Sequence, residues 1–483
     1  MDTSETSRSK DRIFLQSETT TCTYDDLSRF TLQLKSWLDR HWPYLSKPRI
    51  ALEAESSDDL FLFTAACWNL SIPVVPLDVT FISRSKIDRV DPGLFFGRTR
   101  TALDKFDSLN VPALTYDSIK AGEPASPEEP QPASGEDIFA WLFTSGSSGR
   151  AKLVPCRRRQ IIHAASRSAP LLCPEPGRLW LHCLPLNHTG GMSIIHRSLL
   201  YGTGIYRSDT FNPERIARQI SGNERIHTVS LVPTMLKRLL ERDDFRPHPG
   251  LKAILLGGGP VQDVILDEAI DRGFPVVTSY GMTETCGAIA AEKYDKAKGA
   301  KAGPLLEGNE LQVTGKDGRT LPAGKSGYIL LKGPQVFSGY ADEVNNRESF
   351  DQDGWFHTGD FGSVDREGRL DIEPRRTDMI ITGGENVSPY EVEALLNRLP
   401  GVRESAVAGV PDGKWGEKIV ALIVFDVPEL EDTRQIAAAL RQLLPSYKIP
   451  KQFHTVETLP KTSLGKLERG KIREMAEKAG RAR

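Results

Sequence analysis

Cysteine is scarce and scattered. The 483 residues include only Cys22, Cys67, Cys156, Cys173, Cys183 and Cys286, with no CxxC pair among them. That usage argues against a disulfide framework or a structural zinc site and fits a reducing compartment. Long hydrophobic runs are missing too. The most apolar early stretch, residues 59–77, is broken by Asn69, Ser71, Pro73 and Pro76, short of the roughly 20 apolar residues that a membrane span needs. The amino terminus is polar and has no apolar signal core. These absences predict a cytoplasmic protein without a membrane span. An excess of one charge is also lacking: 62 Lys+Arg against 64 Asp+Glu leave −2. A nucleic-acid partner, which would call for a basic surplus or patch, is not expected. The run Arg157-Arg158-Arg159 reads as a solvated helix face, and Cys286 as a small buried hydrophobe.

What remains is ordinary for a globular enzyme, at 39% hydrophobic and 26% charged residues. The length exceeds what a single core organises, so more than one domain is expected. Residues 50–54 read as a buried strand, a helix opens at Asp58 and Asp59, and residues 72–77 read as a second strand. That tempo predicts a parallel, helix-covered sheet. Residues 123–137, rich in Pro, Glu, Ser and Gly, read as a surface connection. Residues 138–143, 228–232, 253–256 and 275–278 read as further strands, several running into glycine-rich turns. In open α/β sheets the ligand crevice lies at such carboxyl ends. Residues 312–340 alternate like a small β subdomain, and a new α+β unit begins near Arg375. The expected fold is therefore α/β. A large N-terminal domain of helix-covered sheets plus a β subdomain would span 1–374, a hinge 375–378, and a small mobile α+β domain 379–483.

Five short segments bear chemistry. Thr144-Ser145-Gly146-Ser147-Ser148-Gly149-Arg150-Ala151-Lys152 follows a strand. Its glycines can turn backbone N–H groups towards an anion, its hydroxyls add donors, and Lys152 adds charge: a phosphate nest in composition, though without Walker A spacing. Tyr280-Gly281-Met282-Thr283-Glu284-Thr285 joins a flat aromatic, a tight turn, a hydroxyl and a carboxylate. There Tyr280 could stack on a base and Glu284 could hold Mg²⁺ against phosphates. The third segment ends at Gly359-Asp360, a turn carboxylate able to accept from a ribose diol. The fourth is Arg375-Arg376-Thr377-Asp378 with Gly383-Gly384-Glu385-Asn386, and the fifth is a glycine turn presenting Lys466.

In order and spacing these segments resemble the adenylate-forming superfamily of acyl-CoA synthetases, adenylation domains and luciferases, over residues 138–472. The resemblance implies ATP, Mg²⁺ and coenzyme A, with a small-molecule carboxylic acid as substrate. It implies a loop of Thr144, Ser145, Gly146, Ser147, Ser148, Gly149 and Lys152 on the β- and γ-phosphates. Gly257, Gly258, Gly259 and Tyr280 would flank adenine, and Thr283 and Glu284 would serve phosphate and metal. Asp360 and Arg375 would hold the ribose. Lys466 would reach the substrate carboxylate and α-phosphate, where charge concentrates in the transition state. Thr377 would be the hinge of a lid that swings between two half-reactions. Two departures stand out: the phosphate loop ends Arg-Ala-Lys-Leu instead of Pro-Lys-Gly, and Pro374 precedes the ribose arginine.

Within the superfamily, residues 184–192, 229–236, 251–260 and 379–387 most resemble o-succinylbenzoate–CoA ligases of menaquinone biosynthesis. His188, in Asn187-His188-Thr189-Gly190-Gly191, would then sit at the mouth of the acyl pocket, contacting or gating the substrate carboxylate. Aromatic- or fatty-acid–CoA ligases, and a stand-alone adenylation protein loading a carrier thiol, remain alternatives, and a homo-oligomer stays open.

Overall fold

The computed structural model describes residues 11–41, 49–54, 57–78, 84–108, 111–120, 134–144, 152–208, 211–341, 346, 349–373, 380–382, 385–413, 415–426, 433–462, 465 and 467–481. The chain separates into two compact units. The first is Met1–Gln312 with Leu330–Thr358 and Val364–Asp371; the second is Val313–Ile329 with Gly359–Ser363 and Ile372–Arg483.

Two sheets build the first unit. Ile50–Glu53 is wholly buried, so its Ile50, Ala51 and Leu52 run on without alternation before the buried Glu53. It pairs in parallel with Val74–Leu77 and Leu94–Phe96. The connecting helix Asp58–Asn69 starts where Ser57 accepts from the Leu60 N–H and acidic Asp58 and Asp59 favour the positive end of the helix dipole. Its buried face includes Phe61, Phe63 and Trp68. Ile138–Thr144 extends this six-stranded sheet in parallel, and Lys152–Arg157 closes it in antiparallel pairing.

The second sheet has eight strands, ordered Gly287–Lys293, Val276–Met282, Ala253–Leu256, Ile226–Leu231, Leu179–His182, Gly204–Arg207, Ile13–Gln16 and Thr21–Thr23. Only the two edge pairings are antiparallel. The parallel strands point their carboxyl ends one way, and the glycine turn after Leu256 and the 3₁₀ turn after Met282 fall there. A further five-stranded sheet is built from strands between Gly303 and Glu373.

The second unit holds the long antiparallel pair Val402–Asp412 and Gly416–Phe425, with Gln452–Thr455 added in parallel. Alternation along the pair sends Val407, Ala421 and Ile423 to one face with Val392, Leu396, Ile436 and Leu440, while Ala406, Val420 and Leu422 meet Ile472 and Ala476 on the other. Helices thus cover both faces, as the α+β reading expects.

The arginine run departs from expectation. Arg157 is the N-cap of the helix Arg158–Leu172 and donates to the Glu136 carbonyl at 2.6 Å. Arg158 lies 3.9 Å over the Trp68 ring and donates to the Trp68 carbonyl at 2.9 Å, and burial pulls its guanidinium down to about 10. Arg159 pairs with Glu136 at 2.7 Å. The run ties a helix end and a neighbouring loop together because flat guanidinium groups stack on indole and still reach carbonyls. Cys286 is buried, as expected.

Candidate active site

Strand register sets the two ends of segment 144–152. Thr144 stands opposite Lys152 and Phe143 opposite Leu153, so both ends of the intervening loop are pinned in one hairpin. The loop itself, with Ser145, Gly146, Ser147, Ser148 and Gly149, lies outside the described residues, as do Arg375, Thr377, Gly383, Gly384 and Lys466.

The strand Val276–Met282 runs directly into a single turn of 3₁₀ helix, Thr283–Thr285. Gly281 is required there: a Cβ would lie 2.0 Å from the Gly287 carbonyl oxygen, because the two strands close on each other at a bulge. Gly257, after the neighbouring strand, is hemmed in likewise, a Cβ meeting Ser279 Oγ at 2.6 Å. Tyr280 is buried at this junction. The turn is braced from several directions. The Thr285 hydroxyl donates to the carbonyls of Met282 and Gly287, Gln335 Nε2 donates to those of Thr285 and Ala288, and the Phe337 N–H donates to that of Glu284.

Glu284 is 8% exposed, and its Oε1 accepts from the Tyr340 hydroxyl at 2.7 Å. The ring of the same tyrosine meets Lys152, whose Nζ lies 4.5 Å from the ring centroid. Among the described residues no cluster of three or more His, Cys, Asp or Glu side chains could hold a metal by itself. A single hard carboxylate suits Mg²⁺ when phosphate oxygens and water complete its shell.

The helix Thr189–Tyr201 approaches the turn from its amino end. His188, half-buried, occupies the N-cap position in extended conformation. The Thr189 hydroxyl lies 3.2 Å from that of Thr283, so the helix start and the glutamate turn touch. Farther along the helix, Arg197 is 3% exposed. Its Nη1 reaches Ser193 Oγ at 3.4 Å and its guanidinium lies 5.6 Å from the Trp180 ring, while Nη2 is buried without a hydrogen-bond partner. A Cβ placed on Gly287 would lie 3.8 Å from that nitrogen and 3.9 Å from Thr189 Cγ2, which locates the arginine behind the turn. No carboxylate among the described residues pairs with it. Burial depresses its pKa, with Tyr201 opposing.

Asp360 is placed differently from the reading of it as a turn carboxylate. It is buried inside the strand Phe356–Val364, in the second unit. The preceding Gly359 takes φ +73, which resembles a turn locally while the strand continues through it.

The described structure therefore brings together Thr144 with Lys152, Lys152 with Glu284 through Tyr340, and Thr283 with the residue after His188. Tyr340, Thr189 and Arg197 were not singled out from sequence. Arg197 left little signal, because Ser193, His196 and Ser198 already interrupt the apolar residues of 192–200. Among the described residues, no helix is long and apolar enough to cross a membrane.

Known proteins resemble this chain in sequence and fold. The family described as AMP-binding enzyme matches residues 3–341, and its C-terminal domain matches residues 391–466. The 2-succinylbenzoate–CoA ligase of Bacillus licheniformis is 39% identical over 340 residues, 70% of this chain and 70% of that protein. The o-succinylbenzoate CoA synthetase of Bacillus subtilis, solved with the acyl-adenylate intermediate OSB-AMP, superposes with a TM-score of 0.86 at 30% identity, covering 96% of this chain and 95% of that one. The same enzyme with ATP and magnesium gives 0.84 at 30% identity, covering 95% and 96%.

Proposed function

The chain belongs to the AMP-binding enzymes, as an adenylate-forming acyl-CoA ligase, and on that premise we propose that its acid is o-succinylbenzoate, activated for menaquinone biosynthesis. Arg197 carries the choice of acid. A buried guanidinium without a counter-ion is costly to keep, and it stands behind the turn on which the activating chemistry is built. A monocarboxylic acid would use its only carboxylate at phosphorus and leave Arg197 unanswered. A dicarboxylic acid can be activated at one end and neutralise the arginine at the other. The relatives' activities support the same acid.

The reaction follows in two steps. A carboxylate oxygen of the acid attacks the α-phosphorus of ATP, and pyrophosphate leaves; the thiol of coenzyme A then attacks the acyl carbon, and AMP leaves. Glu284 would hold Mg²⁺ jointly with phosphate oxygens, the ion neutralising charge on the leaving pyrophosphate. The 144–149 loop and Lys152 would cradle the β- and γ-phosphates, with Thr283 at phosphate. Gly257, Gly258, Gly259 and Tyr280 would wall the adenine, and Asp360 and Arg375 would hold the ribose. His188 would border the reacting carboxylate. Lys466 would supply the positive charge for the first step and withdraw when the 379–483 domain turns about residues 375–378 for the second.

The test offers ATP, Mg²⁺ and CoA with o-succinylbenzoate, benzoate and medium-chain fatty acids, and identifies products by mass. A thioester is expected with o-succinylbenzoate in strong preference. Arg197→Met should lower kcat/KM for it by about 10²-fold, the scale of losing one partner of a buried charge pair, and leave slow turnover of monocarboxylic acids unchanged. Equal use of monocarboxylic acids by the native enzyme would rule the acid out. Adenylate without any CoA product would point to loading of a carrier thiol.

A further inference from the structure

We infer that Tyr340 is a positioning residue that keeps the phosphate-loop lysine and the glutamate of the turn close without letting them neutralise each other; the inference rests on the adenylation reading and not on the identity of the acid. Lys152 and Glu284 bear opposite charges and approach one side chain from two directions. Left alone, an ammonium and a carboxylate at that range collapse into an ion pair, which would cancel the two charges that a metal–triphosphate needs separately. Tyr340 interposes a different partner for each. Its hydroxyl donates to Glu284 Oε1 at 2.7 Å, which orders the carboxylate and leaves its negative charge in place. Its ring face attracts the Lys152 ammonium at 4.5 Å without offering it an anion. Among the described residues no carboxylate forms an ion pair with Lys152.

The tyrosine is itself held on all sides, as a spacer must be. It is 8% exposed. Asn346 clamps its backbone twice, Oδ1 accepting from the Tyr340 N–H at 2.6 Å and Nδ2 donating to the Tyr340 carbonyl at 2.9 Å. Phe337 packs edge-on against its ring at 4.7 Å. The next residue, Ala341, donates its N–H to the Leu153 carbonyl, fastening this segment to the strand that begins with Lys152. The lysine, the tyrosine and the glutamate are thus fixed to one another through backbone as well as side chains.

Two substitutions separate the two contacts. Tyr340→Phe keeps the ring and removes the hydroxyl; Tyr340→Leu removes both. Binding of a non-hydrolysable ATP analogue is measured by calorimetry, with Mg²⁺ and in EDTA, alongside pyrophosphate exchange and melting temperature. Tyr340→Phe should raise the Mg²⁺ needed for half-saturation about tenfold, the scale of one lost hydrogen bond to a charged group, while affinity in EDTA stays native. Tyr340→Leu should in addition weaken binding in EDTA about fivefold, the scale of a desolvated cation–π contact. That extra loss should vanish on a Lys152→Met background, because the two residues act as one unit. If the Phe variant keeps the native Mg²⁺ dependence, or the Leu loss persists fully without Lys152, the spacer role is wrong. A native protein that binds no ATP analogue would instead remove the adenylation reading, and this inference with it.

Discussion

Arg369 and Arg197 are both nearly withdrawn from solvent, at 6% and 3% exposure, yet they are equipped in opposite ways. Arg369 donates Nε and Nη2 to the Glu292 carboxylate at 2.6–3.0 Å, has Asp365 at 3.8 Å, and reaches the carbonyls of Lys298 and Gly299. Its hydrogen bonds to Glu292 raise its pKa. Arg197 has one hydroxyl, one indole face and, among the described residues, no acid, and burial lowers its pKa. A fold that uses a buried arginine as a brace supplies its partner from the chain. The proposed dicarboxylic acid would supply to Arg197 the partner that Glu292 supplies to Arg369.

The largest expected effect tests the brace. Glu292→Gln should destabilise the protein by about 3 kcal/mol in chemical denaturation, since it strands a buried charge. A loss under about 1 kcal/mol would mean that Asp365 alone suffices and the pairing teaches little. Next, Arg197→Met should leave the free protein as stable or make it up to about 1 kcal/mol more so, because an apolar chain replaces an uncompensated charge. Adding o-succinylbenzoate at about a hundred times its Kd should stabilise the native protein by about 2.7 kcal/mol and the variant hardly at all. A markedly weaker Arg197→Met protein without ligand would class that arginine as another brace.

The smallest effect concerns pH. His196 adjoins Arg197 in sequence and is fully buried between Trp68 and Phe139. Burial first, then Arg158 and Arg197, push it from 6.5 to about 3. The folded form thus stays neutral while the unfolded chain takes up a proton below pH 6.5. The stability this histidine contributes is complete above that value and is lost as pH falls towards about 3. Arg197→Met removes one of the opposing charges, so the variant should lose less stability than the native protein between pH 5 and 3. His182 gives the control. It too is pushed to about 3 by burial, but its cationic neighbour is Arg207. Equal acid limbs in the two proteins would show that Arg197 exerts no field at His196.

The contrast also explains what the sequence could reveal. Thr144 with Lys152 and Thr283 with Glu284 were legible because each pair lies where an apolar strand gives way to small polar residues, a local signal. Tyr340 and Arg197 gain meaning only from residues 56 and 90 positions away, Glu284 for the first and Gly287 for the second, and no local pattern encodes such a meeting. The arginine run misled because charge suggested solvent, whereas Trp68 supplied a ring to stack on. Asp360 misled because Gly359 has the backbone angle of a turn inside a strand that does not turn. The α/β architecture with its β subdomain and separate C-terminal α+β domain was readable throughout, since buried strands and amphipathic helices announce themselves by periodicity.

The contact between the hydroxyls of Thr189 and Thr283 has a practical consequence for changing what the enzyme accepts. It joins the segment that would sense the acid to the segment that would serve the nucleotide through their hydroxyls, with Ser193 and Arg197 lying farther down the same helix. A directed-evolution library confined to those downstream positions should therefore reshape acid scope while sparing the adenylating machinery. Randomising Thr189 would disturb both functions at once, and survivors would be rare whatever acid is used to select them.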